Sequence, residues 1–193
     1  MSEIRELLLM STDNLKNAMS IMGALESCKA ERPDMIMKLF AAIEKKLAND
    51  HLQRASLVTQ DYVTDYERVK KFRTPGINYI VGRVERENVD VLFRVEIGWD
   101  GELYCGFLIA RNNELISDKA ILSGNGVRAL FNAFDENNMD DWYVNWDYIY
   151  FNDEIIDFKD YNENYYKLFN PDMFENIVES AVEQSETILG LLK

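Results

Sequence analysis

Residues 89–110 read VDVLFRVEIGWDGELYCGFLIA, and this stretch decides the fold class. Apolar side chains occupy every second position in both halves of it: Val91, Phe93, Val95 and Ile97, then Leu103, Cys105, Phe107 and Ile109. Such an alternation places one set of side chains on a single face of a strand. Asp100-Gly101 lies between the halves, and this dipeptide favours a tight hairpin turn whose two central residues need positive φ. The stretch therefore predicts an antiparallel β-hairpin.

The sequence on either side adds further strands and helices. Pro75-Gly76 is a turn signal, after which residues 77–84 have strand character, and the aromatic residues 142–151 predict another strand. Helix start signals occur at Ser11-Thr12-Asp13, at Pro33-Asp34 and at Asn170-Pro171-Asp172. We also expect a short helix over residues 126–134. The predicted fold is α+β, with N-terminal helices, a central antiparallel β-sheet with the Asp-Gly hairpin, and a long C-terminal helix. We divide the chain into a mainly helical region, 1–74, and an α+β domain, 75–193.

Apolar stripes at helical spacing predict which helix faces are buried. The stripe of the second helix comprises Ile36, Leu39, Phe40, Ile43 and Leu47. The stripe of the last helix comprises Phe174, Ile177, Val178, Ala181, Ile188, Leu191 and Leu192. The first helix has a looser stripe of Leu15, Ala18, Met19, Met22 and Leu25. The methionines Met10, Met19, Met22, Met35 and Met37 allow two interpretations, an adaptable binding surface or core filling, and we expect core filling.

Composition limits the class of protein. The chain has 193 residues, of which 47% are hydrophobic, so it can bury one domain core. No apolar run approaches the roughly 20 residues that cross a bilayer, and the first residues lack the features of a signal peptide. The two cysteines, Cys28 and Cys105, are too few for a disulfide framework. We therefore expect a globular cytoplasmic protein without membrane association.

Several catalytic designs are disfavoured because the chain has one histidine. His51 and two distant cysteines do not make a tetrahedral zinc site. His51 lies at an apparent helix end, where a cationic imidazole interacts favourably with the helix dipole. No phosphate-binding glycine loop is present. We expect no cofactor, no metal ligand and no catalytic residue; any catalysis would need carboxylates and a divalent cation.

The strands carry a resemblance to a known family. The segments PGINY (75–79), LFRVEI (92–97) and LYCGF (103–107) resemble the C-terminal portion of a bacterial and phage family of PD-(D/E)XK nucleases. In that family an R-[IV]-E-I strand is followed by a hairpin and an L-Y-x-G-F strand, and the resemblance covers roughly residues 75–193. The family's metal site uses an Asp on one strand and an acidic-x-Lys triplet on the next. Here Pro33-Asp34 and Glu44-Lys45-Lys46 fall on a predicted helix, and Glu96-Ile97-Gly98 lacks the lysine. The resemblance therefore implies a nuclease-like chain without the nuclease motif.

Negative charge is concentrated in the last third of the chain. The net charge is -13, and residues 134–193 contain 15 acidic residues against three lysines. Aromatic residues alternate with these acids, a combination typical of surfaces that bind basic proteins. The residues that we predict to bind a partner are Asp135, Glu136, Asp140, Asp141, Trp142, Trp146, Asp147, Asp153, Glu154 and Asp157. The alternative is that the acids form a solvated face and the aromatics belong to the core.

Three functions are compatible with these patterns. The first is a non-catalytic acidic protein that binds a basic, nucleic-acid-binding surface by imitating the charge of DNA, as a phage inhibitor of bacterial defence would. The second is a metal-dependent phosphodiesterase with a rearranged site built from Glu96, Asp100 and Glu102, or from Asp140, Asp141 and Asp147. The third is a subunit or immunity partner in a defence module. Direct nucleic-acid binding is disfavoured because phosphate binding needs a basic surface, and the only basic cluster in the sequence is Arg68, Lys70, Lys71 and Arg73.

Overall fold

A computed structural model describes residues 10–47, 52–55, 75–158 and 162–193. Helices and antiparallel strands together form the α+β fold that the sequence predicts. The helices are α1 (Thr12–Ala30), α2 (Arg32–Leu47), α3 (Lys119–Leu122), α4 (Asn125–Arg128), a 3-10 helix (Glu136–Asn138), α5 (Glu163–Lys167) and α6 (Pro171–Leu189). The strands are β1 (Gln53–Arg54), β2 (Gly76–Val84), β3 (Val89–Ile97), β4 (Leu103–Arg111), β5 (Glu114–Leu115), β6 (Tyr143–Tyr148), β7 (Tyr150–Phe151) and β8 (Glu154–Ile155).

The central sheet is antiparallel throughout. Its strands run in the order β1-β2-β3-β4-β5, and β6 also pairs with β4. Strands β3 and β4 pair from Asp90 with Ala110 to Ile97 with Leu103, which confirms the predicted hairpin. Its turn differs from the expected two-residue type. Within residues 98–102 only Gly101 has a positive φ, at 89°, and the Gly98 amide donates to the Glu102 carbonyl at 2.9 Å. A three-residue loop with one left-handed glycine therefore joins the strands.

Helices α2 and α6 cover one face of the sheet, and the core lies between them and the strands. All five predicted apolar residues of α2 are buried, as are the first four predicted for α6. The N-terminus of α6 has the predicted cap, because the Asn170 side chain accepts hydrogen bonds from the amides of Asp172 and Met173. Lys46 of α2 forms ion pairs with Glu175 and Glu179 of α6. The predicted faces of this layer are confirmed, except that α6 ends at Leu189. Leu191 and Leu192 therefore lie beyond the helix, and with Ile188 they are only partly buried against the core.

Helix α1 has the predicted Ser11 cap, but none of its residues is buried. Met10, Met19 and Met22 are between 65% and 78% exposed, so the expectation that they fill the core is wrong. The physical reason is that α1 approaches the rest of the protein at its last turn, where the Tyr165 hydroxyl donates to the Cys28 carbonyl. Its apolar stripe consequently faces solvent. The later methionines of this group, on α2, are partly buried against the core.

The segment between β5 and α6 differs in detail from the prediction. The helix expected over residues 126–134 ends at Arg128, because the chain turns there and pairs with the C-terminus through Phe131 and Leu192. The strand expected over residues 142–151 is divided into β6 and β7 at Ile149, whose amide donates to the Leu103 carbonyl at 2.8 Å. Helices α3 and α5 are short elements that the sequence patterns did not indicate.

Some predictions fall on other parts of the chain. His51 and the basic cluster of residues 68–73 lie outside the described residues. The division of the chain at residue 75 stays a prediction, although α2 contributes to the same core as the strands. None of the helices that the structure describes is both long and apolar enough to span a bilayer.

Candidate functional site

The face of the sheet opposite α2 and α6 contains polar side chains that are withdrawn from solvent. The alternation of β3 directs Arg94 and Glu96 to this face, and their exposed fractions are 0% and 5%. Asn78 of β2 is opposite Arg94, and Tyr104 of β4 is opposite Glu96. The sheet register therefore brings four polar residues from three strands together. Tyr143 of β6 adds its ring against Tyr104, with centroids 5.3 Å apart. We call these five residues the polar cluster.

Hydrogen bonds connect the polar cluster. Arg94 donates through Nε to Glu96 Oε2 and through Nη1 to Asn78 Oδ1, the latter at 2.5 Å. The Tyr104 hydroxyl donates to Glu96 Oε1. Both carboxylate oxygens of Glu96 are thus engaged, one by a cation and one by a phenol. Burying a charge is costly unless it is paired and hydrogen-bonded, and this arrangement meets both conditions.

The electrostatics of the polar cluster keep its donors protonated. Burial lowers the pKa of the Arg94 guanidinium, but the charge and hydrogen bond of the adjacent Glu96 carboxylate raise it, and the net shift is upward. Burial, and then the charge of Glu96, raises the pKa of Tyr104 and of Tyr143 far above the ordinary tyrosine value. Both phenols are therefore neutral hydrogen-bonding groups at every physiological pH.

Two glycines make room for this arrangement. A Cβ at Gly76 would lie 2.6 Å from the Val95 carbonyl oxygen and 2.8 Å from Arg94 Cζ. A Cβ at Gly106 would lie 2.4 Å from the Cβ of Trp146. Gly106 is opposite an irregularity in β6, where Asn145 has a φ of 46°. The extra residue in β6 shifts its alternation, so Trp146 and Tyr143 lie on the same face of the sheet.

A cavity of about 400 Å³ opens above the polar cluster, and we call it the sheet pocket. Its described lining includes two carboxylates and four aromatic side chains: Glu96, Asp140, Trp99, Tyr104, Trp142 and Tyr143. Trp99 and Trp142 form its rim, with 71% and 46% of their surface exposed. None of the described residues that line it is basic. The described lining is therefore mainly aromatic and acidic, and Leu108 and Leu115 complete it.

Asp140 has a defined position at the rim. Its Oδ1 accepts hydrogen bonds from the amides of Trp142 and Tyr143, both at 2.6 Å. A smaller cavity of about 200 Å³ adjoins the sheet pocket and shares Asp140, Trp99 and Tyr104 with it. Asp100 and Glu102 of the hairpin line this second cavity, together with Trp146 and Tyr148. Acids from the hairpin and from the segment before β6 thus meet around the same aromatic surface.

The ten residues predicted to bind a partner occupy different places. Asp140, Trp142 and Trp146 lie at the two cavities. Glu136 pairs with Arg128, and Asp141 pairs with Lys119 at 2.7 Å.

The remaining five are not among the described residues that line the two cavities. Asp135 caps the 3-10 helix, and Asp157 forms an isolated bridge with Glu102. Asp147 faces the other side of β6, beside Cys105 and α6. Asp153 and Glu154 are exposed at the turn between β7 and β8.

The structure does not keep together either of the two carboxylate sets that were predicted for a phosphodiesterase. Asp100, Glu102 and Asp140 line one cavity, whereas Glu96 is held by Arg94 and Tyr104. Across the described ranges, no three side chains of the types that ligate metals are positioned to hold an ion.

Sequence reasoning missed Asn78, Arg94 and Tyr143 as members of a site, and it did not assign Trp99 to the partner surface. One signal was available: Arg94 and Glu96 are two opposite charges on one face of a strand between apolar neighbours. Moreover, Gly76, Asn78, Arg94, Glu96, Tyr104 and Gly106 all belong to the segments that carry the family resemblance. These segments meet in three dimensions at the polar cluster.

Comparison of the chain with protein-family models, with curated proteins and with solved structures finds no match. The geometry of the pocket and its rim is therefore the basis for a functional proposal.

Proposed function

We propose that the protein is a non-catalytic binding protein whose acidic, aromatic surface recognises a basic protein partner. We call this surface the acidic face and define it as Trp99, Asp100, Glu102, Asp140, Trp142 and Trp146. The observation that carries the proposal is the meeting of exposed tryptophans and carboxylates from two distant chain segments around one pocket. Tryptophan is enriched among the residues that dominate binding energy, and surrounding charges steer encounter with an oppositely charged protein.

Exposure and charge both support a partner. Trp99 is the most exposed tryptophan, at 71%, and its position at the hairpin tip leaves most of its surface accessible to a partner. The chain's net charge of -13 favours approach by basic surfaces and repels nucleic acid backbones. The partner class that fits is a nucleic-acid-binding protein, because such proteins present basic surfaces. The setting in a phage or bacterial defence system stays a prediction, and it depends on the sequence resemblance.

The experiment is affinity purification from the native host with three versions of the protein. The face variant W99A/D100N/E102Q removes one large side chain and two charges. The matched control M173A/D153N/E154Q removes an exposed apolar side chain and two charges at sites away from the acidic face. We expect wild type and control to retain the same basic protein and the face variant to lose it. The interaction should also weaken as salt rises from low to physiological levels, because screening shortens the reach of these charges.

Two results would refute the proposal. One is equal recovery of the partner with the face variant and with the control. The other is metal-dependent nuclease activity of the purified protein that disappears in D100N or E102Q, since that would make the carboxylates catalytic ligands rather than a docking surface.

A further inference from the structure

The sheet pocket combines features that suit an organic cation. Trp99 and Trp142 lie at its mouth, and the less exposed Tyr104 and Tyr143 line its interior. A cation above such rings is attracted by the negative face of the π system, more strongly when water is excluded. Asp140 lies on the same rim, where it can neutralise a charge bound between the rings.

The charges inside the pocket indicate which carboxylate is available. Glu96 already has Arg94 on one oxygen and Tyr104 on the other. The two backbone hydrogen bonds of Asp140 both use Oδ1. Asp140 is thus the carboxylate at the rim, and Asp100 and Glu102 add negative charge from the adjoining cavity. A guest that enters therefore meets a net negative field.

The Tyr143 hydroxyl distinguishes between kinds of cation. Tyr143 is 4% exposed, and its hydroxyl lies close to the Glu96 carboxylate but makes no hydrogen bond of good geometry within the described part of the chain. A buried polar atom without a partner costs free energy, so a ligand that supplies a donor gains by entering. A trimethylated ammonium has no N–H to donate. A guanidinium has five donors in a planar fork and also stacks on indole rings.

We infer that the sheet pocket binds the guanidinium group of an arginine side chain that projects from the basic partner. This assignment rests on the proposed function, because the partner supplies the arginine. The guanidinium stacks against Trp142 and Trp99, pairs with Asp140, and donates to the Tyr143 hydroxyl. The cavity of about 400 Å³ lies at the lower end of the range for ligand sites, and it accommodates the side chain with part of the adjoining peptide.

The test uses the purified full chain and small probes, without any partner. Nα-acetyl-arginine amide is titrated into ¹⁵N-labelled protein while the three indole N–H signals are followed. Nα-acetyl-citrulline amide has the same shape without the charge, and Nα-acetyl-lysine amide has a charge without the planar fork. We expect saturable shifts of the Trp99 and Trp142 indoles with the arginine probe, and affinity weaker by about fivefold or more for the other two.

Variants locate the binding. Y143F removes the buried hydroxyl, and D140N removes the charge while keeping an oxygen for the backbone amides. Each should weaken the arginine probe by about fivefold or more. The matched control is Y150F, which removes the hydroxyl of an exposed tyrosine on β7 and should leave binding unchanged. Dispersed amide spectra of each variant verify that it is folded.

The outcomes separate this inference from the proposed function. No shift with the arginine probe, equal binding of citrulline or lysine, or full binding by Y143F and D140N would each overturn the assignment, and the partner purification would be unaffected. The converse result is also informative. If the arginine probe binds but the face variant still recovers the partner, the pocket binds a guanidinium and the acidic face does not bind the partner.

Discussion

Replacement of Arg94 by methionine tests whether the polar cluster holds the sheet together. Methionine preserves most of the side-chain volume and removes the guanidinium. Glu96 then retains the Tyr104 hydroxyl but loses its cation, and Asn78 loses the donor to its Oδ1. Because Arg94 and Glu96 are almost inaccessible to water, neither loss is compensated by solvent.

The expected cost is large relative to the stability of a domain. Removing one partner of a buried ion pair typically destabilises a protein by about 3–5 kcal/mol, against a total of about 5–15 kcal/mol. Glu96 has no other cation among its described hydrogen-bond partners, so we expect R94M to fall in that range. The double variant R94M/E96L removes both charges, and it should be more stable than R94M alone.

The assay is urea unfolding followed by tryptophan fluorescence and circular dichroism. The matched control is R83M, because Arg83 forms an ion pair with Asp90 at 2.7 Å on the same strand pair but is exposed to solvent. Exposed pairs contribute little, so R83M should lose far less stability than R94M. Equal losses in R83M and R94M, or a double variant less stable than R94M, would refute this reasoning.

Three further predictions concern backbone space, pH and cysteine reactivity. Gly106→Ala should destabilise the protein by about 1–3 kcal/mol, because the new Cβ would meet Trp146. Gly23→Ala should stabilise it by about 0.5–1 kcal/mol, because a Cβ on Gly23 in helix α1 has nothing within 4 Å. Thermal unfolding measures both changes, and equal shifts of the two variants would contradict the prediction. The free energy of unfolding should fall as pH rises above about 10. The reason is that Tyr104 and Tyr143, whose pKa values are raised in the folded state, keep their protons there and release them in the unfolded chain. A Y104F variant should show a shallower fall with pH, and an unchanged slope would contradict this. Burial raises the pKa of the Cys105 thiol to about 12. A thiol reagent at neutral pH should therefore modify the half-buried Cys28 first and Cys105 only after unfolding. Simultaneous modification of both cysteines in the folded protein would contradict this prediction.

Local signals were sufficient for the main elements. Asp100-Gly101 with two alternating runs predicted the hairpin, and Asn170-Pro171 predicted the start of α6. Both depend on residues adjacent in sequence, where turn and cap preferences act directly. The three-residue turn was missed because Asp-Gly is compatible with either loop length.

The site was harder to predict because it depends on pairing between distant segments. Asp140, Trp142 and Trp146 were selected for their charge and aromatic character, and they do lie at the pocket. Their position beside Trp99 and Glu96 requires β6 to pair with β4, and no local pattern specifies this. The alternation of β3 places Arg94 and Glu96 on the face opposite the apolar set, but it does not indicate that both side chains are buried there.

Helix α1 is a case in which the sequence predicted the helix correctly but not its environment. Helical spacing of Leu15, Met19 and Met22 predicted a helix correctly, but it could not specify whether another element packs on the stripe. Burial is a property of the tertiary arrangement rather than of periodicity.

Site-specific photo-crosslinking tests the acidic face most directly. Benzoylphenylalanine replaces Trp99 at the rim of the pocket, or Met173, which is exposed on the first turn of α6. Irradiation in the native host should attach one basic protein to the position 99 derivative and leave the position 173 derivative unmodified. Crosslinking of the same protein from position 173 but not from position 99 would contradict a partner-binding role for the acidic face.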